Sequence, residues 1–476
     1  MASMDSTDNN TPVHRLQTDP EKAGQADSNF SGDVETSPKE VKEVEDVGPP
    51  MDGGTAAWLN VLGAWCCSFS SPGWANSSSD EVCLLTNGMI SHSGVGSFQQ
   101  YYEIGPLKGY SNSTISWIPA LQLFFLFALG PFIGLIYDRY GPRPLILGGT
   151  IFHVFGLMMA SLATEYYQFM LSQGVCSAIG VACLYMPAIA CVSTWFNKKR
   201  GLAMGILVTG SSVGGVIFPI MISHMVSSSG YPWTIRTAAF IILGLQIIAI
   251  LTIRPRTKPV PKKMPVGRLG APFLELNFVL LLLGVGVLTY GIFTPIVYLA
   301  VQGFQEAHMS EEMSQYLIAI FNAARITLTS IPPSLFGRLI SGYFADKIGK
   351  WNMFIIACAV SGIAIFALWI PAKHSSIAIG FAIMFGFTSG AFMSLSSVLP
   401  IAVSPLPEIG YRMGLVLLAI SIPALTVAPI CGAILQGGGD AWLNVKIFGG
   451  VFCLAGACII LLSRWLYTDR KLIKVF

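Results

Sequence analysis

The sequence predicts an all-α membrane protein with twelve transmembrane helices arranged in two six-helix halves. Three observations support this fold class. The chain is poor in charged residues, it contains twelve long apolar runs, and a loop with glycine, aspartate and basic residues occurs at matching places in the two halves. Together these features exclude a soluble globular protein and indicate a chain that folds in lipid.

The composition sets the environment of the chain. Of its 476 residues, 53% are hydrophobic and only 11% are charged, whereas a soluble domain has roughly 25% charged residues. Lipid must therefore cover most of the outer surface. The ten cysteines predict neither a disulfide framework nor a zinc site, because most of them lie in apolar runs and no Cys-x-x-Cys pair occurs.

Twelve apolar runs have the length that a membrane-spanning helix needs, roughly 20 residues. They cover residues 57–74, 115–136, 145–163, 169–192, 202–226, 235–253, 273–300, 316–344, 353–371, 377–399, 413–435 and 445–462. The count of twelve divides naturally into six spans before and six after the longest basic loop.

Basic residues in the short loops predict the orientation, because cytoplasmic loops are enriched in Lys and Arg. If the amino-terminal tail lies inside, the inner loops hold fourteen basic residues and the outer loops hold four: Lys108, Arg236, Lys373 and Lys446. Both termini are therefore expected in the cytoplasm, and the plasma membrane is the expected location.

Five regions follow from this topology. We expect a disordered cytoplasmic tail over residues 1–51, a first half over 52–253, a cytoplasmic linker over 254–272, a second half over 273–466 and a cytoplasmic end over 467–476. The first fifty residues hold eleven acids and four bases without an apolar run. This pattern predicts a solvated segment without a cleavable signal peptide, serving either as a spacer or in regulation.

The repeated loop follows the pattern G-x-x-x-D-[RK]-x-G and ends on a base. Its first copy comprises Gly134, Asp138, Arg139, Gly141 and Arg143, and its second comprises Gly342, Asp346, Lys347, Gly349 and Lys350. The pattern resembles the cytoplasmic signature loop of the major facilitator superfamily, and thus implies the major facilitator fold. The first glycine allows close helix packing, and the aspartate is suited to the amino end of a neighbouring helix. We expect these loops to bias alternating access; plain positive-inside anchoring is the alternative.

Three further stretches narrow the resemblance. They are Asp52-Gly53-Gly54, the run from Trp195 to Gly201, and Phe336-Gly337-Arg338. Together they resemble the monocarboxylate transporter-like branch of the superfamily in its fungal form, over residues 52 to 470. The resemblance implies a carrier of a small organic molecule, since members carry monocarboxylates, riboflavin or unidentified metabolites.

The chain departs from that branch at several places. Asn76 and Ser334 stand where animal members have a lysine and an acid, which puts proton–lactate symport in doubt. Residues 78–97 and 325–333 interrupt the fungal pattern. They are interpreted either as translated introns or as real insertions that form outer loops.

Arg338 is the leading candidate for substrate binding. It lies eight residues before Asp346, which is about 12 Å along a helix. A charge at that depth costs about 2.5–3.5 kcal/mol and usually marks a ligand path. The first half has Gly130 at the matching position, so the repeat does not require an arginine. A structural role, as partner of Asp346 or of backbone carbonyls, is the alternative.

Four other polar residues complete the predicted binding set: Asn76, Asn322, Tyr290 and Gln122. Hydrogen bonding between helices is the alternative role for each of them. The spans contain almost no acid at depth, so coupling to a proton would use a histidine, the charge of the substrate itself, or be absent.

The expected partners are a small-molecule substrate, with or without a proton, and the lipid bilayer. No cofactor, metal or nucleic acid is expected, and the chain is expected to be a monomer. The sequon at Asn112 falls in the first outer loop and predicts a glycan. A second sequon at Asn76 lies too near the membrane to be reached.

Transport is therefore the predicted function, and catalysis is not. The G-x-S-x-G match at residues 210–214 lies in an apolar helix, whereas a hydrolase elbow needs a strand–turn–helix setting. Export of a fungal secondary metabolite is favoured. Import of a monocarboxylate or a riboflavin-like vitamin, and nutrient sensing on a transporter scaffold, are the alternatives.

Overall fold

The structure, a computed structural model, describes residues 52–79, 107–115, 117–256, 266–310, 313–314, 317, 321, 333–438 and 440–468. All regular elements in these ranges are helices. They are α1 Thr55–Ser70, α2 Pro72–Ser79, α3 Asn112–Ile115, α4 Trp117–Ala128, α5 Gly130–Tyr140, α6 Pro142–Ala160, α7 Tyr166–Trp195, α8 Arg200–Val226, α9 Ser228–Thr252, α10 Ala271–Leu274, α11 Leu276–Gln305, α12 Pro333–Ile348, α13 Lys350–Trp369, α14 Ser375–Ala402, α15 Ile409–Gln436 and α16 Ala441–Tyr467, with short 3₁₀ turns at Val266–Arg268 and Leu406–Glu408.

Every one of the twelve apolar runs overlaps a helix, which confirms the all-helical prediction. Within the described residues, nine helices are long and apolar enough to cross a membrane, and α4 with α5, bent by 42°, forms a tenth candidate. The two remaining runs are described as shorter helices. The first appears as α1 and α2, and the eighth appears as α12 from residue 333 onward.

The first run is interrupted at Pro72. Helix α1 ends at Ser70, and α2 begins two residues later at this proline, which has no backbone N–H to continue the helical ladder. The break therefore follows directly from the sequence. Two other spans contain π-helical segments, Met170–Ser177 within α7 and Ile365–Trp369 within α13.

Small residues set the helix contacts, as expected where lipid offers no hydrophobic driving force between helices. Gly210 on α8 faces α1 so closely that an added Cβ would lie 2.5 Å from the Trp65 carbonyl oxygen. Gly456 on α16 faces α11 in the same way, since an added Cβ would lie 2.5 Å from the Leu288 backbone nitrogen. Helices therefore approach each other almost backbone to backbone.

The outer faces of the bundle are apolar. Leu274, Phe132 and Leu251 expose 88%, 68% and 67% of their surfaces. In contrast, several polar side chains, including Gln246 and His153, are fully buried. This inside-out distribution matches a bundle whose exterior contacts lipid.

Candidate functional site

Helices α8 and α12 meet in the first of two close seams, which we call the α8–α12 seam. Asp346 accepts backbone hydrogen bonds from Gly201 (2.8 Å) and Leu202 (2.9 Å), in the first turn of α8. Next to this contact Gly342 faces Gly201, and a Cβ on Gly342 would lie 2.3 Å from the Gly201 carbonyl oxygen. The carboxylate thus satisfies orphan N–H groups at the positive end of the α8 dipole.

Helices α5 and α15 form an equivalent contact, which we call the α5–α15 seam. Asp138 accepts hydrogen bonds from the backbone N–H groups of Gly410 (2.8 Å) and Tyr411 (2.9 Å) in the first turn of α15. A Cβ on Gly134 would lie 2.2 Å from the Gly410 carbonyl oxygen. Both repeated loops therefore hold a helix of the other predicted half.

The closing glycines of the two loops have the same backbone role. Gly141 has φ 78° and Gly349 has φ 103°, a left-handed region that glycine tolerates and other residues rarely adopt. Each glycine donates its N–H to the carbonyl oxygen of the residue four positions before it. Gly141 donates to Tyr137 at 2.8 Å, and Gly349 donates to Ala345 at 3.0 Å. The second glycine of the pattern is thus required by the turn between two helices.

The basic residues of the loops divide into two groups. The Lys350 ammonium donates to the Asn197 carbonyl (2.9 Å) and so crosses the α8–α12 seam. The cationic groups of Arg139 and Lys347 instead lie over the rings of neighbouring tyrosines on their own helices, at 4.9 and 4.5 Å. Arg143 is exposed at the start of α6.

Asp52 contacts the backbone just before α8, an interaction that was not predicted from the sequence. Its carboxylate accepts backbone hydrogen bonds from Asn197 (2.7 Å) and Lys199 (3.0 Å), just before α8. Burial raises the pKa of this carboxyl, but these N–H groups and the Lys198 charge outweigh it, so the pKa is lowered overall. The start of the first half is thereby tied to the loop that begins the α8–α12 seam.

Arg338 lies deeper along the α8–α12 seam and is buried, with 6% of its surface exposed. Its Nη1 donates to the Val208 carbonyl (2.7 Å) and to the Ser211 hydroxyl (2.7 Å), both on α8. The Ser211 hydroxyl in turn donates to the same carbonyl (2.9 Å). Among the described residues, the buried Nε has no hydrogen-bond partner.

Within the part of the chain that the structure describes, no carboxylate forms an ion pair with Arg338. The ion pairs among the described residues lie elsewhere: Arg412 pairs with Glu275 and Glu408, and Lys446 pairs with Glu306. A buried cation that has only neutral acceptors keeps a strong tendency to bind an anion or a dense acceptor group. Val208 and Ser211 were not identified from the sequence as partners of Arg338, although Ser211-Ser212 is a polar pair within an apolar span.

Three other predicted binding residues, Gln122, Tyr290 and Asn76, lie on helices other than α12. Gln122 is fully buried on α4 and donates to the Ser177 hydroxyl at 3.5 Å. The Tyr290 hydroxyl lies 2.8 Å from that of Thr426 on α15, and the ring contacts phenylalanines on α16. Asn76 is half-buried on α2, across from Gly215 of α8.

Two predictions fall wholly or largely outside the described residues. Asn322 is outside them, as are most of the interrupting segments 78–97 and 325–333.

Asn112 begins the short helix α3, whose Thr114 carbonyl accepts a hydrogen bond from the Tyr166 hydroxyl (2.9 Å). The predicted glycan site thus lies beside the start of α7.

A buried polar network crosses the helices around His153. Its Nε2 lies 3.0 Å from the Ser70 carbonyl oxygen, and its Nδ1 lies 2.8 Å from the Ser177 hydroxyl. Because the carbonyl can only accept, Nε2 carries the proton and Nδ1 accepts from Ser177 in the neutral ring. This arrangement holds the Ser70 carbonyl at the break between α1 and α2.

Comparison with known proteins identifies relatives along most of the chain. The sequence is 62% identical over 471 residues to the Fujikurins efflux protein of Gibberella fujikuroi, which covers 96% of each chain. It is 49% identical to the MFS transporter asaE of Aspergillus flavus, over 89% of this chain and 90% of that protein. It is 37% identical to the Aspyridones efflux protein apdF of Emericella nidulans, over 86% of this chain and 78% of that protein.

A solved structure shares the fold. The E. coli fucose:proton symporter FucP superposes with a TM-score of 0.63, covering 85% of this chain and 98% of that chain at 14% sequence identity. The family model described as Major Facilitator Superfamily matches residues 56–372. With the helical bundle and the duplicated loop contacts, this match shows that the chain belongs to the major facilitator superfamily of transporters.

Proposed function

We propose that the protein is an efflux carrier that exports a small organic metabolite across a membrane by alternating access. The observation that carries this proposal is its 62% identity, over 96% of both lengths, to a protein named for efflux of fujikurins. A second relative is named for efflux of aspyridones. These names favour export over vitamin import or nutrient sensing, and a carrier over an enzyme.

Arg338 is proposed as the residue that binds the cargo. Support comes from its burial, its position at depth on α12, and its lack of a carboxylate partner among the described residues. A guanidinium held in this way favours a carboxylate, an enolate or a carbonyl group on the cargo. Asn76, Tyr290, Gln122 and Asn322 remain proposed secondary contacts.

The two seams are proposed to be the gates. Four seam residues, Asp138, Asp346, Gly134 and Gly342, lie at the end of the bundle that the basic loops predict to be cytoplasmic. We propose that the two closed seams seal that end of the bundle, so that the carrier is accessible from the opposite side. Breaking these contacts during the rocking of two six-helix halves, 52–253 and 273–466, would open the inner side.

Several finer assignments complete the proposal. The motifs around Asp52, Gly201 and Arg338 favour the monocarboxylate transporter-like branch. We also propose a monomer in the plasma membrane with both termini in the cytoplasm, a glycan on Asn112, and transport of the cargo either alone or with a proton.

Deletion of the gene in its native host tests the proposed export. Metabolites are measured by mass spectrometry inside and outside the cells, with and without the reintroduced wild-type gene. We expect at least one organic product to accumulate inside the deletion strain and to return to the medium on complementation. Unchanged profiles, or loss of uptake of an external nutrient, would refute efflux.

A further inference from the structure

The two seams are equivalent at their ends but differ at depth. On α12, Arg338, Gly342 and Asp346 follow one another at intervals of four residues, and on α5 the same intervals hold Gly130, Gly134 and Asp138. Gly130 packs against Gly414, with 2.7 Å from an added Cβ to the Gly414 oxygen. Glycine has no side chain to bond across a seam, so a deep polar bridge at these matched positions exists only in the α8–α12 seam.

The bridge joins residues that belong to different predicted halves. Arg338 lies on α12, whereas Val208 and Ser211 lie on α8. Gly205 brings the two backbones together at this level, since an added Cβ would lie 2.5 Å from the Arg338 carbonyl oxygen. The bonds from Nη1 to α8 therefore form only when the seam is closed and are lost when the halves separate.

We propose that the Val208 carbonyl and the Ser211 hydroxyl act as an internal substitute for the cargo. When the α8–α12 seam closes, they take the Arg338 guanidinium and displace the acceptor group of the cargo; when the seam opens, the guanidinium is free to bind cargo again. The inference rests on the proposed function, in which Arg338 binds the cargo. It adds a mechanism of release that is coupled to the closing of one named seam.

The exchange solves an energetic problem of the transport cycle. A buried guanidinium without acceptors is costly, so an arginine that lost its cargo and gained nothing would slow release. The two acceptors at 2.7 Å replace what the cargo provided. Because cargo and α8 compete for one group, binding of cargo and closure of this seam oppose each other by linkage.

Pulsed EPR on the full-length protein in nanodiscs tests the bridge. A ketone-bearing amino acid replaces Lys198 and Lys347, both exposed at the seam, and carries the spin labels, so that the native cysteines stay. We expect Ser211→Ala and Arg338→Lys to raise the ratio of open to closed distances about three- to tenfold over wild type. Ser211→Thr, which keeps the hydroxyl, should restore the closed population.

Ser212→Ala is the matched control, because the buried Ser212 hydroxyl has no hydrogen-bond partner among the described residues. It should leave the distances unchanged. A second label pair at Arg143 and Pro407, beside the α5–α15 seam, should respond less to Ser211→Ala than the first pair. Equal distance distributions for Ser211→Ala, Ser212→Ala and wild type would overturn the proposal.

Export measured on the same variants separates this inference from the proposed function. If Arg338→Ala stops export but the labels at Lys198 and Lys347 do not move, the arginine binds cargo and the exchange is wrong. If the distance between the labels changes but Arg338→Ala exports at the wild-type rate, the arginine only stabilises the closed seam, and its proposed role in cargo binding fails. Both changes together are the expected result.

Discussion

Asp138 and Asp346 hold equivalent positions at two different seams. Each carboxylate accepts two backbone N–H groups, at 2.8 and 2.9 Å, from the first turn of a helix in the other predicted half. Hydrogen bonds to a charged acceptor are about twice as strong as neutral ones. The repeated loop is thus explained by one physical task that is performed twice.

Asp346→Asn should weaken closure of the α8–α12 seam. Asparagine keeps one acceptor oxygen but loses the charge that the helix dipole favours, a change of about 1–2 kcal/mol. Spin labels at Lys198 and Lys347 should show an open population that is about five- to thirtyfold higher. Asp440→Asn is the control, because Asp440 precedes α16 without a side-chain capping bond; an equal shift in both variants would contradict the prediction.

Gly342→Ala should block closure of the same seam by steric conflict. The new methyl group would lie 2.3 Å from the Gly201 carbonyl oxygen, a backbone atom that cannot rotate away. Overpacking of this kind costs about 1–3 kcal/mol, so export at equal surface abundance should fall about tenfold or more. Gly380→Ala is matched to it, since a Cβ there meets nothing within 4 Å. Normal export by Gly342→Ala would show that the seam does not close in the cycle.

These contacts also show how far sequence reasoning reaches. The apolar runs predicted the helices because the bilayer fixes both their length and their composition. The duplicated loop predicted the seam contacts of Asp138 and Asp346 because an acid before a glycine turn suits a helix amino end. The break at Pro72 was not predicted, because residues 57–74 form one uninterrupted apolar run in the sequence, although proline cannot continue the helical ladder.

The partners of Arg338 had no comparable signal. One acceptor is the backbone carbonyl of Val208, which every residue carries and no motif marks. The other, Ser211, is separated from Arg338 by 127 positions, and only the packing of Gly205 against α12 brings them together. The hydrogen bonds of Gln122 with Ser177 and of Tyr290 with Thr426 were hidden for the same reason, because a polar residue in an apolar span does not reveal which neighbour it faces.

Glu275→Gln should reduce stability at neutral pH but not in acid. Arg412 donates two hydrogen bonds of 2.6 Å to the Glu275 carboxylate. These bonds lower the pKa of Glu275 below its ordinary value of 4.5, although burial opposes them. Because the folded-state pKa is the lower one, the stabilisation is complete above pH 4.5 and is lost as the pH falls through the folded-state value.

Thermal unfolding in detergent measures this effect. At pH 7 the variant should be less stable by about 1 kcal/mol, since Arg412 keeps its second partner Glu408 at 3.2 Å. As the pH falls below 4.5 and through the lower folded-state pKa of Glu275, the difference between the two unfolding temperatures should shrink and then disappear. A difference that persists unchanged in acid would show that the carboxylate charge is not the cause.

Asn112→Gln should remove the glycan, because the topology predicts glycosylation at Asn112 and not at Asn76. Asn112 begins α3, beside the start of α7, at the end of the bundle opposite the basic loops. Treatment with a glycosidase should shift the mobility of the wild-type protein, whereas the variant should not respond. Asn76→Gln should behave like the wild type, and a variant that still carries the glycan would move the site or reverse the orientation.

Export by Arg338→Ala tests the central claim most directly. The rate is measured in the deletion strain for the metabolite that wild type returns to the medium, at matched abundance in the membrane. We predict that export falls to the level of the empty vector while the protein stays folded and inserted, because the buried guanidinium on α12 binds the cargo. Export at the wild-type rate would contradict the account.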